Sequence, residues 1–192
     1  MAPPSAKVKV LFSAGAIARR VARLAKAIGA DMGDEVHLIA ILKGSFVFAA
    51  DLIRALHRVG LKPRVDFITL ASYGAGKTGA ARISVNRALS DNVRGKAVLL
   101  VDDILETGRT LAKAKRILLA RGAAVVKVCV LLDKSAHRRP VIAADFVGFP
   151  SPDRFVVGYG LDCAHYYREL PFVGVIAGHK QTPGRPTRRK GR

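Results

Sequence analysis

The 192-residue chain has no tryptophan, two methionines and two cysteines, and only 6% of it is aromatic. Cys129 stands in an apolar run and Cys163 beside Asp162. They form no CxxC pair, so no disulfide framework is encoded. The five histidines, His37, His57, His137, His165 and His179, show no metal-ligand spacing, which argues against a zinc site. No stretch approaches the roughly 18 consecutive apolar residues of a membrane-spanning helix. The amino terminus lacks the charged-then-apolar pattern of a signal peptide, so a cytoplasmic protein without a membrane partner is expected. Fixed-period repeats are missing too, which sets solenoids and propellers aside.

Acidic residues are scarce: 14 Asp and Glu stand against 33 Lys and Arg, a formal net charge of +19. Such an excess points to anionic ligands or nucleic acid. Part of it is local, because the run after Ala177, GHKQTPGRPTRRKGR, holds six basic residues and no acid. Half of the chain is hydrophobic, enough for one sizeable core. The expected organisation is a single domain over residues 1–176 and a disordered basic tail over 177–192.

Residues 1–9, with Pro3-Pro4, read as a frayed start. From Ser13, an N-cap residue type, the apolar positions Ile17, Val21, Leu24 and Ile28 recur at three- and four-residue spacing up to Gly29, predicting an amphipathic helix. Residues 36–42 (VHLIAIL) are apolar almost throughout, as a strand covered on both faces requires, and Lys43-Gly44-Ser45 then leads into a helix over 46–58. Another strand is predicted at 65–71. The Gly- and Ala-rich 73–81 (YGAGKTGAA) reads as a lid over a site or as a long hairpin connection.

The chain is organised around 98–110, VLLVDDILETGRT. Four apolar residues predict a buried strand with Asp102 and Asp103 at its carboxyl end, and Thr107-Gly108-Arg109-Thr110 opens a helix. In an open α/β sheet, ligands bind beyond such strand ends. Unpaired N–H groups at the helix start offer a phosphate seat, and the two acids can hold a ribose diol or hydrated Mg²⁺. The helix places Leu111, Ala114, Ile117 and Leu118 on one face and stops at Gly122, before a buried strand over 125–132 that ends in Asp133-Lys134. Alternation of strands and helices from 36 to 133 predicts an α/β fold, with a mostly parallel central sheet, flanking helices and right-handed crossovers. Short apolar runs over 146–176, broken by prolines and glycines, suit a small hood subdomain shared with the N-terminal segment.

Two other patterns carry little. Gly74-Ala75-Gly76-Lys77-Thr78 looks like the end of a P-loop, but the required first glycine falls at Ala71 and no apolar helix follows. Ser45 and Ser72 have no visible His-Asp partners for nucleophilic catalysis.

VLLVDDILETGRTL resembles the phosphoribosyl diphosphate (PRPP) signature of the type I phosphoribosyltransferases. The surrounding pieces resemble their 6-oxopurine, hypoxanthine-guanine branch: LKGS at 42–45, VDF at 65–67 with Ser72-Tyr73, LLDK at 131–134, DFVGF at 145–149, and PDRFVVGYGLD at 152–162 followed by YYREL at 166–170. The resemblance covers roughly residues 10–176, and several ordered motifs are far more specific than one.

This resemblance implies transfer of the 5-phosphoribosyl group from PRPP to N9 of hypoxanthine or guanine, with Mg²⁺, and a homo-oligomer (dimer or tetramer). Asp102 and Asp103 correspond to the acids that hold the ribose hydroxyls and the hydrated metal. Thr107, Gly108, Arg109 and Thr110 correspond to the 5′-phosphate loop, and Lys43-Gly44 to the pyrophosphate loop, where the family carries a non-proline cis peptide before the lysine. Lys134 resembles the purine O6 donor and Phe155 the ring that stacks on the base. Val156 and Asp162 correspond to the residues flanking position 2, with the Asp162 side chain near a second Mg²⁺; Arg168 faces pyrophosphate, and Ser72-Tyr73 begins the lid. Glu106 stands where the family has Asp, beside purine N7 in the acid/base role; it is one methylene longer with similar proton affinity. The rival readings are a transferase preferring xanthine, and an RNA-binding regulator on the same fold, to which the +19 charge lends weight.

Overall fold

A computed structural model describes residues 7–73, 82–87, 92–134 and 141–177 of the chain. The expected tail from residue 178 onward and most of the expected lid therefore lie outside the described residues. Strand β1 (Val8–Phe12) begins within the stretch expected to fray. It is followed by helix α1 (Ala14–Met32), whose N-cap Ser13 accepts from the Ala16 N–H at 3.3 Å and which buries Ile17, Val21, Leu24 and Ile28. The helix runs past Gly29, its predicted end. A Cβ at Gly29 would stand 3.0 Å from Leu61 Cδ1, so this glycine serves close packing, and the left-handed Gly33 ends the helix instead.

Strand β2 (His37–Leu42) and helix α2 (Phe46–Arg58) follow the periodicity closely. Strand β3 (Arg64–Tyr73) and strand β4 (Arg82–Arg87) form an antiparallel pair, with Ser72 opposite Ile83 and Tyr73 opposite Arg82. The hairpin alternative thus describes the backbone around the lid segment. Strand β5 (Ala97–Leu105), helix α3 (Arg109–Ala120), strand β6 (Val125–Asp133) and strand β7 (Phe146–Pro150) complete a six-stranded sheet of order β4-β3-β2-β5-β6-β7. From β3 to β7 the strands run parallel. Both faces of this sheet are covered. Leu99 and Val101 pack with α1 and α2, while Val98 and Leu100 pack with α3, which is why residues 98–101 of β5 read as an unbroken apolar run.

Two placements differ from the sequence reading. The Phe146–Pro150 segment, assigned above to the hood, pairs with β6 at the edge of the main sheet. Asp102 and Asp103 lie inside β5 rather than beyond it, because pairing with β6 continues through Leu105 opposite Asp133. The second, three-stranded sheet has the order β1-β9-β8, from β1, strand β8 (Val156–Val157) and strand β9 (Val173–Ile176). Among the described residues, no helix is long and apolar enough to cross a membrane.

Candidate active site

The first crossover carries the chain from β2 to β3, and the chain later returns to place β5 on the other side of β2. The carboxyl ends of β2 and β5 therefore face a crevice at the switch in strand order, where open α/β sheets bind ligands. After β2 the Leu42–Lys43 peptide bond is cis. Ser45 is fully buried, and its hydroxyl donates to the Ile41 carbonyl at 2.5 Å, closing the turn on which the exposed Lys43 stands. A side chain at Gly44 would overlap the Asp103 carboxylate. From the other direction, a Cβ at Gly160 would overlap the Gly44 carbonyl oxygen. The turn thus meets the hood backbone to backbone, and the central strand through the Asp103 carboxylate.

Asp102 accepts a 3.0 Å hydrogen bond from the Asp103 N–H. Burial and the neighbouring Asp103 charge hold the Asp102 carboxyl well above the usual range. Burial also raises Asp103, which its bonds with Asp102 and the backbone, and the Arg168 charge, partly offset. Two adjacent acids that ionise at such cost are suited to a cation or to hydroxyl donors. The cleft beside them, about 240 Å³, is lined by Asp102, Asp103, Glu106, Thr107, Gly108 and Thr110 among others. Gly108 adopts φ +71°, and a Cβ would come within 2.7 Å of Ile142, so only glycine lets the chain enter α3 here. The α3 N-cap makes no side-chain hydrogen bond, and the first turn holds no acid but does hold Arg109. A cation at the positive helix end is unfavourable by about 0.3–1 kcal/mol, a cost that a bound phosphate reverses.

Next to Glu106 of this cleft, Lys134 is buried, 4% exposed, with its N–H bonded to the Leu105 carbonyl at 2.8 Å. Its ammonium lies 3.8 Å from Glu106 and 3.9 Å from Asp153. Phe155 is half-buried and Val156 buried at the start of β8. Arg168 binds Asp162 at 2.7 Å and donates to the Gly160 carbonyl at 2.5 Å, while Asp162 also accepts from the His165 N–H at 2.9 Å. Asp162 and Arg168 are thus paired with each other over the Gly44 turn. The backbones of Ser72 and Tyr73 end β3 at the same edge of the sheet.

The phosphoribosyl transferase domain profile matches residues 7–164. The chain belongs to this family. The phosphoribosyl transferase match stops short of Arg168, which the sequence motifs had included. Among its relatives, the hypoxanthine phosphoribosyltransferase of Salmonella typhimurium is 41% identical over 172 residues, 88% of this chain and 95% of that protein. The hypoxanthine-guanine phosphoribosyltransferase of Aquifex aeolicus is 43% identical over the same shares. The crystal structure of a hypoxanthine-guanine phosphoribosyltransferase from Bacillus anthracis, with HEPES in its active site, superimposes with a TM-score of 0.82. It is 40% identical and covers 88% of this chain and 99% of that one.

Two features of this phosphoribosyl transferase site escaped the sequence reading. Asp153, two residues before Phe155, stands 3.9 Å from the Lys134 ammonium, a pairing that neither segment marks in its sequence. The Tyr159 hydroxyl donates to Asp51 at 2.7 Å, fastening the hood to α2 across 108 positions, and nothing local signals that pairing.

Proposed function

We propose that this chain transfers the 5-phosphoribosyl group from PRPP to N9 of hypoxanthine or guanine, releasing pyrophosphate and the nucleoside monophosphate in purine salvage. One observation carries the reading: the Lys43-Gly44 turn, the Asp102-Asp103 pair, the Gly108 entry to α3 and the buried Lys134 converge on one end of the sheet. The names of the matched relatives support the transferase over an RNA-binding regulator.

In this reading α3 seats the 5′-phosphate through Thr107 to Thr110, and Asp102 and Asp103 hold the ribose hydroxyls. Lys134 donates to the purine O6, Phe155 stacks on the ring, and the Val156 and Asp162 carbonyls flank position 2. The donor set suits Mg²⁺, which is bound by one or two carboxylates together with phosphate oxygens. Among the described residues no group of three or more His, Cys, Asp or Glu forms a protein-only cage. Asp102 and Asp103 would hold one ion and Asp162 a second; the metal supplies positive charge beside the departing pyrophosphate.

As the bond from C1 to pyrophosphate lengthens, positive charge grows on the ribose. Lys43 and Arg168 stabilise the leaving negative charge, Arg168 by exchanging Asp162 for phosphate. Glu106 holds or moves the proton at purine N7, and a lid beginning at Ser72-Tyr73 keeps water from the ribosyl centre. The enzyme works in the cytoplasm as a homo-oligomer, in keeping with the dimers and tetramers its family forms. Pyrophosphate release from PRPP and Mg²⁺, measured with hypoxanthine, guanine, xanthine and adenine in turn, tests the reading. Release with hypoxanthine or guanine is expected. Release with adenine alone, or with no base, refutes it, and a preference for xanthine shifts it to that base.

A further inference from the structure

Lys134 is one cation shared by two acids. Its ammonium stands 3.8 Å from Glu106 Oε1 and 3.9 Å from Asp153 Oδ1, nearly equal distances that both exceed hydrogen-bond length. The lysine side chain is 6% exposed, against 41% and 37% for the two acids. Its backbone is fixed, because its N–H is bonded to Leu105. The loop that carries Asp153 is anchored as well, with the Ser151 N–H on the Asp133 carbonyl at 2.8 Å. The end of the lysine side chain has both anions within 4 Å and closes to hydrogen-bond length on neither, so the two charges compete for it. With Asp153 uncharged, Glu106 is the nearer remaining anion of the pair. The ammonium then closes on Glu106 as an ordinary ion pair, which engages in one contact both groups that the purine needs.

We propose that Asp153 is a positioning residue, which holds the Lys134 ammonium off Glu106 so that the lysine can meet a 6-oxo group while the glutamate meets the neighbouring ring nitrogen. This rests on the transfer reading and on the base contacts given above to Lys134 and Glu106. Asp153 itself touches no reacting atom. Its effect therefore falls on the base and not on PRPP, and it disappears when the lysine is removed.

The full-length chain and its Asp153→Asn, Asp153→Glu, Lys134→Met and Lys134→Met/Asp153→Asn variants test this. Steady-state kinetics with hypoxanthine and PRPP are combined with thermal melts, and with calorimetric binding of inosine monophosphate where turnover is too slow. D153N is expected to lower kcat/KM for hypoxanthine about tenfold with the KM for PRPP within about twofold, and D153E to restore most of the loss. In the K134M background the same D153N change has no further effect on kinetics or nucleotide binding. A D153N enzyme as effective as the wild type on hypoxanthine overturns the proposal. So does an equal fractional loss with and without Lys134, which would mean that Asp153 acts only on the loop carrying Phe155. A wild-type chain inactive on every 6-oxopurine overturns the transfer reading and this inference with it, whereas an active wild type with an insensitive D153N overturns this inference alone.

Discussion

Adding one methyl group at Gly44 separates the effect of a misplaced carboxylate from that of an unstable fold. Gly44 is outside the left-handed region, so alanine brings no backbone penalty and gains about 0.4–1 kcal/mol by restricting the unfolded chain. The new Cβ would overlap the Asp103 carboxylate. Relieving such an overlap by moving a neighbour costs about 1–3 kcal/mol. The net loss of stability is then at most about 2.6 kcal/mol, a fall of up to about 10 °C in Tm for a domain of this size. On the proposed reading Asp103 holds the reacting sugar, so activity suffers far more, since displacing such a group by about 1 Å costs about a hundredfold. The assay is pyrophosphate release across PRPP concentrations, beside a melting curve. Gly60→Ala is the control: φ there is +94° with open space around it, so that variant loses about 1–2 kcal/mol of stability and keeps its kinetics. A G44A enzyme within threefold of wild-type kcat/KM for PRPP would refute the close approach of turn and carboxylate.

Three further outcomes are expected. Asp102 and Asp103 have folded pKa values raised above the reference of 3.8, so their stabilising contribution is complete below that pH and is lost as pH rises through the raised values. Asp102→Asn, which keeps an acceptor for the Asp103 N–H, therefore raises Tm near neutral pH in a metal-free buffer and loses that advantage below about pH 4, while activity falls. An unchanged or lower Tm at pH 7 contradicts the burial argument. Glu106→Gln lowers kcat by about 10²- to 10⁴-fold, and a loss under about tenfold would remove Glu106 from the acid/base role. Tyr159→Phe removes the 2.7 Å bond to the half-exposed Asp51, costing about 1.5 kcal/mol, or 3–6 °C by calorimetry; an unshifted melt shows that the hood is fastened elsewhere.

The main sheet was legible because a strand covered on both faces leaves a continuous apolar run, as 98–101 and 128–132 do. Its ends were less so. Whether β5 stops at Val101 or runs on to Leu105 depends on Leu132 and Asp133 in β6 accepting the pairing, which no local pattern encodes. Gly29 looked like a helix end because glycine is a poor helix former, but packing against Leu61 decided its place. The hood was hardest, since β8 is two residues long and the turns around it put Tyr159, Ala164, His165 and Tyr167 at positive φ, where local rules expect glycine. The site residues beyond the strands were found through ordered motifs. The Asp51–Tyr159 and Lys134–Asp153 pairings needed the folded chain, because each is a contact between segments whose sequences carry no mark of the other.

The meeting of Gly44, Asp103 and Gly160 has a bearing on how this enzyme can change. Three segments far apart in the chain touch there, the Asp103 carboxylate against the Gly44 backbone and the Gly44 carbonyl against Gly160, so a larger residue at either glycine disturbs its neighbour at once. On the proposed reading this is the phosphate end, and it is closed to gradual substitution. The base end, on the same proposed reading, is built differently, from side chains: Lys134, with Asp153 and Phe155 on a loop anchored where the Ser151 N–H bonds the Asp133 carbonyl. A lineage selected for a new nucleobase would gather its mutations across residues 151–156 and leave both glycines untouched, so the same frame can keep its sugar donor while trying acceptors.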